Sequence, residues 1–132
     1  MNIQLIPLAL HGDDRGALVS LERDKNIDFE IRRVYYIFDT KKGVVRGYHA
    51  HKNLKQLVIA VKGSCRFTLD DGSERVSVFL DNPAQGLLVN SLIWREMSDF
   101  SEDCVLMLVL ASNEYDESDY IRDYDAFKLA AK

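Results

Sequence analysis

The sequence is short of basic charge, proline, cysteine and long apolar runs. Against 21 Asp and Glu it carries 17 Lys and Arg, a formal net charge of -4. A mildly acidic chain lacks the basic surface that general binding to nucleic acid or an anionic membrane requires, although one local basic pocket for a phosphorylated ligand remains open to it. No run approaches the roughly 18 apolar residues of a membrane span. The opening MNIQLIPLALHGDDRG has no basic start followed by a long apolar stretch, so no signal peptide is expected. Two cysteines, Cys65 and Cys104, lie in apolar runs with no CxxC spacing. They read as buried reduced thiols rather than a disulfide or a metal site. A cytoplasmic protein is expected. Two prolines, no linker, no repeat and 132 residues point to one domain over 1–132.

What the sequence does have is short strands. Runs 17–22, 32–39, 47–51, 56–62, 64–69, 75–80, 86–89, 93–97 and 104–111 are rich in β-branched and aromatic residues or alternate in polarity. Turn residues separate them; Asp70-Asp71-Gly72-Ser73 is a hairpin signal, since the Asp-Gly step favours positive φ. About nine short strands imply an all-β antiparallel sandwich or barrel. The tail, 118–131, is expected to be helical, with Ile121, Tyr124 and Phe127 at helical spacing, packed across one end of the barrel or against a partner subunit.

The sharpest motif runs from Gly43 to Gly63. In a strand, residues i and i+2 share a face, so His49 and His51 project together. Two adjacent imidazoles can bind a metal or move protons. The spacing resembles the first motif of the cupins, a double-stranded β-helix or jelly-roll barrel fold, with Gln56 at the motif's acidic position. In the second cupin motif another histidine follows a Pro-x-x-Gly turn and a strand. Here Pro83-Ala84-Gln85-Gly86 leads to Arg95 at that place. Metallo-cupins use three His and one Glu. Gln56 offers only a neutral amide, and Arg95 brings a permanent cation that repels a divalent ion. Two imidazoles alone hold a metal poorly. No metal is expected, and Arg95 is free to face an anionic or enolate-like ligand.

Other arginines stand in marked places: Arg15 in a turn, Arg33 at the start of a Val-Tyr-Tyr strand, and Arg46 three residues before His49. With Arg95 they could form a phosphate and sugar pocket, because the guanidinium fork suits diphosphates. Arg32 and Arg33 fall on opposite faces, as do Tyr35 and Tyr36, so one of each pair points inward. His11 is isolated in a loop and receives no role.

On these residues the chain resembles the dTDP-4-keto-6-deoxyglucose 3,4-ketoisomerases, the WxcM-like cupins. The similarity lies in 14–16, 33–39, 46–51, 63–66, 69–72, Trp94 with Glu96-Met97, 110–112 and 115–122. The pairing of RGYHAH with YDESDYIRDYD is far more specific than the general cupin spacing. The resemblance implies conversion of a 4-keto to a 3-keto hexose on a dTDP-linked keto-deoxyhexose, in a homodimer with no cofactor. The product would pass to an aminotransferase making a 3-amino-3,6-dideoxyhexose for a bacterial surface glycan such as an O-antigen or S-layer. It implies that His49 is the catalytic base, His51 its partner acid or base, and Tyr35 a nearby hydroxyl. Arg33 and Arg46 are implied substrate contacts.

The chemistry agrees. A C3 proton beside a C4 ketone is acidified by enolisation, and a neutral imidazole can remove it. The resulting enediolate needs positive charge, which Arg95 or an imidazolium can supply. The face on which C4 is reprotonated decides the product's configuration; Arg15 and Arg95 are the candidate residues. Two readings stand beside this one: a dTDP-sugar 3,5-epimerase, and a non-catalytic sugar-nucleotide-binding cupin. A metal-dependent dioxygenase is the remotest.

Overall fold

The computed structural model describes residues 1–110 and 115–132. Among them the strands are β1 (Gln4–Pro7), β2 (Leu10–Asp13), β3 (Gly16–Val19), β4 (Arg33–Ile37), β5 (Arg46–His51), β6 (Gln56–Lys62), β7 (Cys65–Asp70), β8 (Arg75–Leu80), β9 (Gln85–Val89), β10 (Trp94–Ser98), β11 (Val105–Leu110) and β12 (Tyr120–Ile121), followed by helix α1 (Tyr124–Ala130). Two five-stranded antiparallel sheets form the body, in the orders β1-β9-β6-β11-β4 and β12-β5-β10-β7-β8. Among the described residues strands β2 and β3 pair only with each other. Among the described residues no helix is long and apolar enough to cross a membrane.

The apolar patterns follow from which faces are covered. Val58, Ala60, Phe67, Leu69, Leu87, Met97, Leu106 and Leu108 meet between the sheets as the main core. Strand β6 reads as a nearly continuous apolar run because its other face is covered too. Leu57 and Ile59 pack outward against Leu8, Ile27 and Val109 beneath the 20–31 loop. On the second sheet Ala50 and Trp94 are capped by Ile121 and Phe127 of the C-terminal segment. Cys65 and Cys104 are buried free thiols.

Most expected strands are found within one or two residues of their places. Val19 ends β3, so 20–22 is not strand; of the run expected over 104–111, β11 covers Val105–Leu110 and Ala111 lies outside the described residues, as does Ser112. Strands β1 and β2 were not expected; four residues with one or two proline or glycine neighbours carry little periodic signal. The expected helix over 118–131 is corrected. Its first part is a single 3-10 turn at Glu117–Asp119 followed by β12, and only Tyr124–Ala130 is α-helix. The polar sequence before Tyr124 is claimed by sheet pairing, Tyr120 to His51 and Ile121 to Ala50, which local periodicity does not report. Asp123 then caps the helix by accepting from Ala126 N–H.

Candidate active site

Strand β5 carries the two histidines, and a bulge sets their direction. Arg95 of β10 lies opposite His49, while the next β10 residue, Glu96, lies opposite Gly47, so Tyr48 is the extra residue. Gly47 and Tyr48 both take positive φ, 89° and 57°. A Cβ on Gly47 would stand 2.8 Å from the Arg95 carbonyl oxygen, so only glycine fits that crossing. Bulges of this kind re-aim side chains at sheet rims. Here the result turns Tyr48 outward and brings the His49 and His51 rings to a centroid separation of 4.9 Å, edge to face.

Each imidazole is held through Nδ1. The His49 Nδ1 lies 3.0 Å from the Gly47 carbonyl oxygen, and the His51 Nδ1 lies 2.9 Å from Asp119 Oδ2. A carbonyl can only accept, so His49 carries its proton on Nδ1 and leaves Nε2 as a lone pair. The carboxylate selects the same tautomer at His51. The other oxygen of Asp119 accepts from Asn53 N–H at 2.8 Å, and its backbone carbonyl accepts from Lys52 N–H. Asp119 is thus fixed on both sides before it meets His51.

Arg95 is 1% exposed and stands beside this pair. It donates to Gln56 Oε1 and, at 3.3 Å, to the Ile93 carbonyl, and its Nε has no partner. Among the described residues no carboxylate pairs with it. Burial lowers its pKa to about 10. Burial, and next the Arg95 charge, push His49 down to about 3 and His51 to about 4, with Asp119 pulling His51 the other way. Both imidazoles are therefore neutral at pH 7 and able to accept protons.

Of the tyrosine pair, Tyr35 is the inward one and Tyr36, 62% exposed, the outward one. Burial raises the Tyr35 pKa, so its phenol keeps its proton. Arg33 lies over the Tyr35 ring at 5.2 Å, on the inward side, while Arg32 turns out to Glu30. Arg46 is exposed at the start of β5, and its charge, like those of Arg33 and Arg95, is felt at Tyr35. Arg15 is not brought to this group within the chain. It sits at the tip of the β2–β3 hairpin, 87% exposed and ion-paired to Asp13 at 2.6 Å. His11 is exposed on the same hairpin.

The C-terminal segment supplies residues that the sequence reading left out. Tyr120 packs on both imidazoles, at 4.4 Å from His51 and 4.9 Å from His49. With Asp119 it forms the wall of the site. The hint was present in the specific YDESDY run, but nothing in local spacing ties Asp119 to a histidine 68 residues earlier.

Comparison with known proteins places this geometry in context. The model of the family described as FdtA, WxcM-like, C-terminal matches residues 1–132. A TDP-4-oxo-6-deoxy-alpha-D-glucose-3,4-oxoisomerase from Aneurinibacillus thermoaerophilus is 59% identical over 116 residues, 88% of this chain and 83% of that protein. The crystal structure of a 3,4-ketoisomerase from Helicobacter canadensis superposes with a TM-score of 0.94 at 42% identity, covering 99% of this chain and 98% of its own. A histidine-to-asparagine variant of the 3,4-ketoisomerase QdtA from Thermoanaerobacterium thermosaccharolyticum, in complex with TDP-4-keto-6-deoxyglucose, superposes at 0.95 and 41% identity, covering 98% and 94%.

Proposed function

The chain belongs to the FdtA, WxcM-like family of sugar 3,4-ketoisomerases, and from that premise we propose that it converts dTDP-4-keto-6-deoxy-D-glucose to a dTDP-3-keto-6-deoxyhexose through its His49–His51 pair. The observation that carries the mechanism is two neutral imidazoles, each presenting Nε2, beside a buried guanidinium that has no carboxylate partner among the described residues.

The steps balance without a co-reactant. An imidazole takes the C3 proton, the C3–H electrons become the C3=C4 bond, and the carbonyl pair moves onto O4. The enediolate is stabilised by Arg95, a cation already desolvated and held in place. Protonation at C4, with the O3 proton moving to O4, leaves the ketone at C3. Resemblance alone assigns the first proton to His49. The Asp119 carboxylate supports an imidazolium at His51 better than a backbone carbonyl does at His49. The two rings are therefore assigned as a joint relay, with His51 the stronger proton holder. Tyr35, a protonated phenol that feels the Arg95 charge, is assigned to the hydroxyl exchange. Arg33 and Arg46 line the approach, and the Arg95 cation among the imidazoles supports a metal-independent reaction. The buried free thiols suit the cytoplasmic placement.

NMR of the purified protein with dTDP-4-keto-6-deoxyglucose in deuterated water tests the reaction. The expected result is a 3-keto species with deuterium at C4, and its C4 couplings give the configuration. Deuterium at C3 and C5 with the ketone still at C4 would establish an epimerase instead. Binding without exchange would establish a non-catalytic binder.

The homodimer is proposed on two exposed features. The β2–β3 hairpin presents Leu10 and Leu18, 52% and 59% exposed, and β4 is an open sheet edge flanked by Val34, Tyr36 and Phe38. An unpaired edge and an unsupported apolar hairpin on one chain are self-complementary across a two-fold axis. In such a dimer Arg15 at the hairpin tip is carried away from its own body and toward the neighbour, which is the route by which it could reach substrate. Sedimentation of Leu18→Asp should give a monomer where the wild type gives a dimer; a wild-type monomer rejects the arrangement.

A further inference from the structure

Gln56 opens β6 with its side chain on the inward face that Val58 and Ala60 share, and it is 1% exposed. It reaches across the barrel from one sheet to the other, where Arg95 of β10 donates from Nη1 to its Oε1. An arginine has only donors, so the amide must turn its oxygen toward it. The other bond of the guanidinium, from Nη2 to the Ile93 carbonyl, is long at 3.3 Å, and the Nε hydrogen is unspent. Gln56 is therefore the main fixed point of a cation buried as deeply as itself.

This pairing runs against stability. A fully buried arginine is ordinarily met by a carboxylate, because an uncompensated charge in the interior is costly. Glutamate has the length of glutamine and would supply the compensation. A local rule broken in this way marks a functional position. The difference lies in the field. A carboxylate against Arg95 makes a dipole whose potential falls quickly with distance. An amide oxygen holds the guanidinium and leaves a whole positive charge acting on its neighbours. The charged and titratable groups that act on the two imidazoles are Arg95 from β10, Asp119 and Arg122 from the C-terminal segment, and each other. Asp119 opposes the arginines at His51, and Glu117 is engaged with Arg122. Tyr35 of β4 and Tyr120 of β12 act on Arg95 itself.

We propose that Gln56 is a positioning residue for the reaction: it fixes the Arg95 guanidinium through a neutral acceptor, so that the cation reaches the developing enediolate undiminished. This rests on the ketoisomerase reading and adds to it a physical reason for an amide, rather than an acid, at that position.

Gln56→Glu tests it with little change of shape. The readouts are turnover of dTDP-4-keto-6-deoxyglucose, TDP affinity, and NMR titration of the His49 and His51 ring protons in the resting protein. A chelator is present throughout, because the change restores the acidic position of the cupin motif. The expected result is a loss of kcat of about tenfold or more, as the oxyanion loses part of its counter-charge, with TDP affinity within about twofold of the wild type. Tm holds or rises, since the buried cation gains a partner. The added negative charge favours the imidazolium. Both rings then titrate above the wild-type values of about 3 and about 4, by about one pH unit or more, and the acid limb of kcat/KM moves up with them. Gln56→Met is the counterpart. It removes the acceptor and adds no charge, so kcat and Tm fall while the rings titrate as in the wild type. A kcat within twofold of the wild type in either variant overturns the proposal, as do histidines that titrate unchanged in Gln56→Glu. An equal upward shift in Gln56→Met overturns it too, because the effect would then not be one of charge. Wild-type protein that fails to convert the keto-sugar sinks the ketoisomerase reading; the ring titrations need no substrate and decide separately whether Gln56 keeps the Arg95 charge whole.

Discussion

Replacing either His49 or His51 with asparagine lowers turnover by about a thousandfold or more and leaves affinity for the sugar nucleotide close to that of the wild type. General acid–base groups contribute typically 10²–10⁴-fold each, and this reaction needs a proton removed at C3 and another delivered at C4. Asparagine is chosen because it separates the two jobs of each ring. At position 51 its amide N–H can still donate to Asp119 Oδ2, so the contact that holds the C-terminal segment to β5 persists and the fold is retained. What disappears is Nε2. The binding groups proposed above, Arg33 and Arg46, are untouched, so KM moves little. If the two rings act as one relay, the His49→Asn/His51→Asn double variant is no slower than the worse single variant. The check is initial-rate kinetics by NMR, with TDP affinity measured in parallel. Turnover above a few per cent in either single variant removes that ring from proton transfer. Fully multiplicative losses would mean that the rings serve separate steps.

Arg95→Met should separate stability from activity. The guanidinium is buried without a carboxylate beside it among the described residues, an arrangement that costs several kcal/mol in desolvation. Met has a similar length and fits the space beside Leu69 and Met97. The change leaves Gln56 Oε1 without its donor, a loss of about 1–3 kcal/mol, so Tm should hold or rise. Activity should fall by about 10²–10³-fold, the usual cost of losing a pre-positioned charge at a developing oxyanion. A second readout comes from the imidazoles. They titrate at about 3 and about 4, and after burial the Arg95 charge is the largest cause. Removing that cation raises both pKa values toward 6.5. A base must be neutral to work, so the acid limb of kcat/KM moves to higher pH in the variant, whereas in the wild type activity persists down to about pH 4. A kcat/KM within a factor of a few of the wild type would deny Arg95 its role. An acid limb that stays in place would show that its charge does not reach the histidines.

Much of the barrel was legible because strands announce themselves by alternation and by turn residues. Gln56–Lys62 and Arg75–Leu80 are found where the pattern puts them, and the Asp70–Ser73 turn joins β7 to β8. His49 and His51 share a face because the strand period is two, a property of the backbone that needs no tertiary information. The inward choice of Tyr35 and Arg33 followed once the core side of β4 was known, since alternation offers two options and burial selects one.

The rest depended on contacts far apart in the chain. That Arg95 stands opposite His49 is decided by the pairing of β10 with β5 across a bulge, and that Asp119 holds His51 is decided by β12 joining the same strand. The tail read as one helix because Ile121, Tyr124 and Phe127 do lie on one side of the chain; sheet hydrogen bonds to β5 outweighed helix propensity at Tyr120 and Ile121. The exposed place of Arg15 likewise follows from a hairpin whose strands pair with neither five-stranded sheet among the described residues. By itself, then, the sequence settled an all-β barrel with a paired-histidine strand, with Gln56 and Arg95 at the remaining motif positions, because those are set by local period and residue chemistry. Only the tertiary structure decided how charge is shared among them. Coulomb and hydrogen-bond energies depend on distances between residues that the chain order does not encode.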